Sequence, residues 1–172
     1  VTFGVKTGPK STIRLMEFST EGSNAGILLN ERKDSFNGFA FLHDFAITPN
    51  WAIFLQNAIN FNPIPFIFGQ KGAGQCLTSN PSEQSKFWLI PRNSGRSAGK
   101  PPRIFNAPSG FVFHHLNGWE EDKKIYVDSI YYNDFPSIGP DEDFRQIDFN
   151  QLPEGILKRS CIDLIDESIN TT

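Results

Sequence analysis

The sequence predicts an antiparallel all-β fold, and three observations lead to that prediction. Short stretches rich in β-branched and aromatic residues recur along the 172-residue chain, which contains 17 Phe. Turn residues separate these stretches, with 14 Gly and 12 Pro in the chain, a spacing typical of sandwiches, barrels and propellers. No segment keeps a helical period of 3.6 residues over three turns. Composition alone does not choose among the three architectures.

Ten segments carry the strand signal. They are residues 11–18, 26–31, 39–48, 51–56, 65–68, 86–91, 103–106, 110–115, 124–132 and 157–163. The tight turn at 48–50 makes the third and fourth segments a predicted hairpin, and segments 93–102 and 135–153 are predicted as long loops. The first six residues also have the pattern of a strand. We therefore expect residues 1–172 to be one internal segment of a longer protein, with no separate domains within it.

Composition and charge exclude several classes of protein. The 16 basic and 19 acidic side chains give a net charge of −3, and the absence of a basic patch argues against nucleic-acid binding. A hydrophobic content of 38% is enough for a packed core. No apolar run approaches the roughly 18 residues that a membrane-spanning helix needs. Cys76 and Cys161 form no C-x-x-C pair, so we expect reduced thiols and a cytoplasmic protein.

The chain has three histidines, His43, His114 and His115, and all lie in aromatic segments predicted as strands. Side chains alternate across a strand, so one face of segment 39–48 should carry Phe39, Phe41, His43, Phe45 and Ile47. Adjacent histidines point to opposite faces of a regular strand, so at most one of the other two readily joins His43. Spacing alone favours buried histidines bonded to neighbouring carbonyl groups over metal ligands.

Two segments resemble motifs of the carotenoid cleavage oxygenase family. Residues 42–48, LHDFAIT, contain its HDFAIT motif, and residues 111–121, FVFHHLNGWEE, look like its F-H-x-x-N-A-[FW]-E-E motif. Between them, GQKGAG at 69–74 and WLIPR at 88–92 occur in the family's order. Gly118 departs from the pattern, since the family usually has Ala there. The match covers nearly the whole chain and is closest in texture to cyanobacterial apocarotenoid oxygenases.

The resemblance implies a seven-bladed β-propeller with Fe2+ on its axis, held by four histidines. His43 and His114 would be iron ligands, with His115 a neighbour of the site. The residues that would line the substrate tunnel are Phe41, Phe113 and Tyr132. The implied reaction inserts O2 across one conjugated C=C bond of a carotenoid or apocarotenoid and gives two carbonyl products. The chain would supply two to three blades and half of the ligands, so we expect it to be inactive as this piece alone. We also expect the protein to be a monomer.

Two local expectations follow. Regular alternation puts Phe113 and His114 on opposite faces, whereas the family assignment brings both toward one cavity, so the sequence predicts a bulge or strand end there. Asp44, Glu120 and Glu121 lie beside the motif histidines, but we expect them to make turn or strand-end hydrogen bonds and to take no part in catalysis.

Several alternatives stay open. A non-catalytic propeller could bind an apolar ligand or a protein partner, and an isomerase or hydrolase of retinoid esters could use the same iron. A lectin-like β-sandwich would explain the aromatic strands but leaves the ordered motifs unexplained. The apolar segment 61–68, FNPIPFIF, would either contribute to peripheral membrane contact or form a buried loop beneath the sheet, and the sequence slightly favours the buried loop.

Overall fold

The computed structural model describes residues 1–135 and 148–172, and these residues form thirteen strands and a short α-helix. The strands are β1 (Thr2–Lys6), β2 (Lys10–Phe18), β3 (Leu28–Asn37), β4 (Ala46–Ile47), β5 (Trp51–Gln56), β6 (Ile59–Phe61), β7 (Leu77–Ser79), β8 (Ser85–Pro91), β9 (Arg103–Ala107), β10 (Phe111–Glu121), β11 (Lys124–Tyr132), β12 (Ile156–Asp163) and β13 (Ser168–Thr171). The helix, α1, spans Pro63–Ile67. The all-β prediction is confirmed.

The strands form three larger sheets whose members follow one another along the chain. The first sheet has the order β1-β2-β3, the second β4-β5-β8-β9, and the third β10-β11-β12-β13. All strand pairs within them are antiparallel. A two-stranded ribbon, β6-β7, is inserted between β5 and β8. Successive meander sheets are the building plan of propeller blades, in agreement with the predicted two to three blades.

The second sheet is buried on both faces, because the other two sheets pack against it. In β5, Ile53 belongs to a core cluster that includes Val127 of the third sheet. Its neighbour Phe54 belongs to a cluster that includes Leu15 of the first sheet. Successive side chains of a strand point to opposite faces, so a doubly covered strand needs a continuous apolar run. The five consecutive buried residues Trp51–Leu55 meet that need.

The predicted strand at residues 39–48 is wrong for most of its length, since only Ala46–Ile47 joins a ladder. The chain leaves β3 at Gly38, whose φ of +95° ends the extended run, and residues 39–45 connect the first sheet to the second. The Gln56 side chain donates to the Phe39 carbonyl at 3.0 Å, which satisfies one unpaired backbone group. The predicted hairpin survives as the short pair β4–β5.

The predicted sharing of one face by five side chains of this segment is wrong for the same reason. Phe45 stacks on Phe54 at 5.2 Å between ring centroids, in the core between the first two sheets. Phe39 stacks on Phe61 at 5.1 Å, beside the inserted ribbon. Without a ladder to impose alternation, these rings go to different parts of the molecule.

The predicted strand at residues 65–68 is also wrong, because the segment lies in and beside helix α1. Asn62 caps the helix by accepting a hydrogen bond from the Ile64 N–H at 3.2 Å, and Pro63 occupies the first helical position. Both are strong helix-start signals. The favoured buried loop is wrong as well, since Phe66 is 50% exposed and Phe68 is 73% exposed.

Three short strands, β6, β7 and β13, were not predicted, since three or four residues carry too little pattern. Cys76 and Cys161 are both free thiols, as expected. Most of the predicted loop at 135–153 lies outside the described residues. No helix of the described part of the chain is long and apolar enough to cross a membrane.

Candidate metal centre

His43 and His114 come together between the second and third sheets. Their imidazole rings are 5.0 Å apart between centroids and almost perpendicular, at 86°. His43 lies in the connector that precedes β4, and His114 lies in β10. Both side chains are exposed in this chain. Of the three histidines, these are the two that the family resemblance assigned to the metal.

A bulge in β10 sets the direction of His114. The ladder between β10 and β11 shifts register between Val112 and His115, and again between His115 and Asn117. An inserted residue breaks the alternation of side chains, so Phe113 and His114 can both lie near His43. Phe113 is 5.5 Å from His43 and 6.2 Å from His114 between ring centroids. The predicted irregularity at this position is confirmed.

Aromatic rings surround one side of the histidine pair. Phe113 contacts Phe41 at 6.4 Å and Tyr132 at 6.3 Å between centroids, so the three residues proposed to line a tunnel belong to one cluster. Phe111 and Phe135 belong to the same cluster, at 4.5 Å and 6.3 Å from Phe113. Sequence reasoning missed these two. Phe111 begins the second motif, but its aromatic neighbours have no spacing that separates a wall from the core, and Phe135 lies outside both motifs.

The His115 side chain lies in different surroundings from that of His114. Its Nδ1 lies 2.7 Å from the Ser129 hydroxyl on β11. Burial lowers the pKa of His115 to about 4, and the charge of Asp44 opposes that shift only in part. A neutral imidazole bonded within the sheet agrees with the expectation that His115 is a neighbour of the site.

The acidic residues beside the motif histidines make hydrogen bonds to backbone and side-chain groups. Asp44 accepts one bond from the Phe45 N–H at 2.8 Å and one from the His115 N–H at 2.9 Å. Glu120 accepts bonds from the Asn50 backbone and side-chain N–H groups at 3.0 Å and 2.7 Å. The expected structural role is confirmed for these two residues.

The separation of the two histidine rings is compatible with a shared metal ion. A metal bound by an imidazole nitrogen at about 2.1 Å lies about 3.2 Å from the ring centre, so two neighbouring ligands have ring centres about 4.5–5 Å apart, depending on the angle at the metal. The observed separation of 5.0 Å lies at the upper end of that range. Imidazole suits Fe, Zn, Cu and Ni. Within residues 1–135 and 148–172, no cluster of three or more His, Cys, Asp or Glu side chains forms a fuller ligand set.

Known proteins resemble this chain over most of its length. Residues 1–172 match the family model described as retinal pigment epithelial membrane protein. The chain is 44% identical over 163 residues to the apocarotenoid-15,15'-oxygenase of Synechocystis sp., which covers 95% of this chain and 31% of that protein. It is 29% identical over 127 residues to the carotenoid 9,10(9',10')-cleavage dioxygenase 1 of Pisum sativum, covering 73% of this chain and 21% of that protein.

A solved structure gives the same result. The crystal structure of cobalt-substituted Synechocystis ACO superposes with a TM-score of 0.89 at 40% sequence identity, covering 99% of this chain and 34% of that chain. The described sheets are therefore part of a β-propeller. The chain spans about a third of the Synechocystis protein's length. The family match over all 172 residues, together with these relatives, shows that the chain belongs to the carotenoid oxygenase family.

Proposed function

We propose that this chain is part of a non-haem Fe(II) dioxygenase that cleaves a conjugated C=C bond of a carotenoid or apocarotenoid into two carbonyl products. The observation that carries the proposal is the perpendicular pair of His43 and His114, 5.0 Å apart, beside the Phe113 ring cluster. In the proposal these histidines are two of four iron ligands, and the other two come from polypeptide outside this chain. The family membership of the chain supports the reaction class.

In this proposal, the residues of this chain have two roles, metal binding and contact with the substrate. His43 and His114 would hold the metal through imidazole nitrogens, and the bulge in β10 keeps His114 near His43. Bound Fe(II) would supply the open coordination positions and the electrons that let O2 react with an alkene. Phe41, Phe113 and Tyr132 present flat apolar faces that suit a rigid polyene and keep water away from the reacting atoms. No side chain of this chain has to transfer a proton.

The test is metal content and product analysis of the full-length protein with single histidine substitutions. We expect His43→Ala and His114→Ala each to lower bound iron severalfold and to abolish the release of aldehydes from apocarotenals under O2. His115→Gln serves as the matched control, because its amide can still bond the Ser129 hydroxyl. The control should retain iron and activity. Full iron content in both alanine variants would refute the ligand assignment.

Product analysis also separates the alternatives. Cleavage gives two shorter carbonyl compounds, whereas an isomerase or a hydrolase of retinoid esters leaves the carbon skeleton intact. A non-catalytic propeller would bind an apolar ligand without bound iron and without products. The dioxygenase proposal therefore fails if the iron-loaded full-length protein converts substrate with no change in the length of the polyene.

We also propose that the protein works at a membrane surface from the cytoplasmic side. Its substrate class partitions into lipid, and α1 together with the next residue, Phe68, carries exposed apolar side chains. These are Ile64, Phe66, Ile67 and Phe68, from 50% to 73% exposed. An exposed apolar patch of this kind is typical of membrane or protein contact, and the free thiols Cys76 and Cys161 are compatible with a reducing compartment.

A further inference from the structure

We propose that Asp44 is a positioning residue for the metal centre, and that its carboxylate selects the bulged register of β10 that turns His114 toward His43. This inference rests on the proposed function, because it assigns a role toward the same two histidines. Asp44 is the residue directly after His43 in the chain. Its hydrogen-bond partner, His115, is the residue directly after His114.

The carboxylate joins the two ligand-bearing segments by a very short path. One oxygen, Oδ1, accepts the N–H of Phe45 at 2.8 Å, which holds the Asp44 side chain against its own backbone. The other oxygen, Oδ2, reaches across to β10 and accepts the N–H of His115 at 2.9 Å. Because both oxygens accept a hydrogen bond, the plane of the carboxylate is held in one orientation. This hydrogen bond joins the residue after His43 to the residue after His114, and it therefore fixes the relative position of the two histidines.

The connector that carries His43 needs such a tie. Residues 39–45 have no ladder partner, and the strand that follows, β4, contributes only the pairs Ala46–Ile53 and Ile47–Ala52. Two ladder pairs leave the His43 backbone with little support from the sheet. Among the described contacts of this connector, the Asp44 carboxylate is the one that links it by hydrogen bond to β10.

The same bond bears on the register of β10. A bulge disrupts the ladder, and the N–H of His115 is taken by Asp44. Without that acceptor, a partly buried N–H would lose its partner, which favours a return to regular pairing with β11. A slip of one residue moves side chains to the opposite face of a strand. His114 would then turn away from His43, so the carboxylate stabilises the arrangement in which both face the metal.

Glu120 provides a matched comparison, because it ties the same two parts of the chain at a greater distance from the histidines. Its carboxylate accepts hydrogen bonds from the Thr48 hydroxyl and from two N–H groups of Asn50. These groups belong to the turn between β4 and β5, whereas Glu120 lies near the end of β10. Replacing either carboxylate by its amide removes one negative charge and one acceptor. Only the change at Asp44 is expected to alter metal binding.

The experiment compares Asp44→Asn, Glu120→Gln and His43→Ala in the full-length protein loaded with Co(II) as a spectroscopic probe. We expect Asp44→Asn to shift the visible absorption bands of bound cobalt and to raise the cobalt dissociation constant about tenfold or more, as substitutions of residues behind metal ligands do. Glu120→Gln should lower the melting temperature and leave both the spectrum and the dissociation constant as in the wild type. His43→Ala should lose most of the cobalt affinity.

The outcomes distinguish the proposed role of Asp44 from the proposed assignment of His43 and His114 as metal ligands. Loss of cobalt affinity in His43→Ala, with a wild-type spectrum and affinity in Asp44→Asn, overturns the role of Asp44 and leaves the proposed function standing. Wild-type affinity in His43→Ala overturns the ligand assignment and the role of Asp44 with it. If Asp44→Asn does not fold, Asp44→Ser replaces it under the same expectations, since its short hydroxyl can still accept one N–H.

Discussion

Glu17 and Arg92 join the first and second sheets through an ion pair. Arg92 Nε lies 2.7 Å from Glu17 Oε1, and the side chains are only 18% and 7% exposed. The Ser94 hydroxyl donates to the same oxygen at 2.9 Å, and Arg92 also donates to the Thr48 carbonyl at 2.8 Å. Burial raises the pKa of Glu17, but the hydrogen bonds from Arg92 and Ser94 and the charge of Arg92 outweigh it, so the pKa is lowered overall.

We expect Glu17→Gln to lower the free energy of unfolding of the full-length protein by about 1.5–3 kcal/mol at neutral pH, the range for hydrogen bonds to charged groups. The folded-state pKa lies below the unfolded one, so the contribution of this carboxylate is complete above the unfolded pKa of about 4.3 and is lost as the pH falls through the folded pKa. Urea unfolding at several pH values measures the difference between wild type and variant.

The control for that measurement is Glu21→Gln, at an exposed position, which should change the free energy of unfolding by less than about 0.5 kcal/mol. A gap between wild type and Glu17→Gln that stays constant from neutral to strongly acid pH would contradict the ion-pair argument. The pair was not predictable from sequence, because Glu17 and Arg92 approach only when two sheets pack together.

Helix α1 and Phe68, the residue that follows it, form an exposed apolar surface. We expect the double substitution Phe66→Ser and Phe68→Ser to weaken binding of the full-length protein to liposomes about tenfold or more, because burial of one Phe side chain contributes about 1.5–3 kcal/mol. Sedimentation with vesicles measures the bound fraction. Ile165→Ser, at a 64% exposed position in the turn before β13, is the control and should bind as the wild type does.

Unchanged liposome binding by the α1 variant would show that this helix is covered by protein and does not meet lipid. The element itself illustrates the limits of pattern reading. A short apolar run fits a strand or a helix equally well by periodicity, and here the cap at Asn62 and the proline at Pro63 are the signals that favour the helix.

The strands β5, β8 and β11 were predicted nearly to the residue, whereas the connector at 39–45 was not. Strands packed on one or both faces carry long apolar or alternating patterns, and β11 alternates buried and partly buried residues along its whole length. The connector has similar aromatic alternation but no neighbouring strand to pair with. Periodicity records which side chains are apolar, and it does not record whether a backbone partner exists.

At the scale of the whole molecule, we expect the isolated 172-residue chain to bind Fe(II) at least a hundredfold more weakly than the full-length protein and to release no aldehydes from apocarotenals. Two imidazoles hold a metal far less tightly than four, and the open sheet edges of a partial propeller also favour aggregation. Anaerobic titration with Fe(II), followed by a product assay, tests both statements. Tight stoichiometric iron binding by this chain alone would contradict them.

The family and the two candidate ligands could be read from the sequence, because motifs such as HDFAIT preserve local chemistry in a contiguous order. The 5.0 Å approach of His43 to His114 could not. It depends on a bulge in β10, on a connector without a ladder partner, and on a carboxylate that bridges two segments far apart in the chain. These features arise when the second and third sheets pack together. Contacts between segments that are distant in the chain produce no periodic pattern in the sequence, so they cannot be predicted from it.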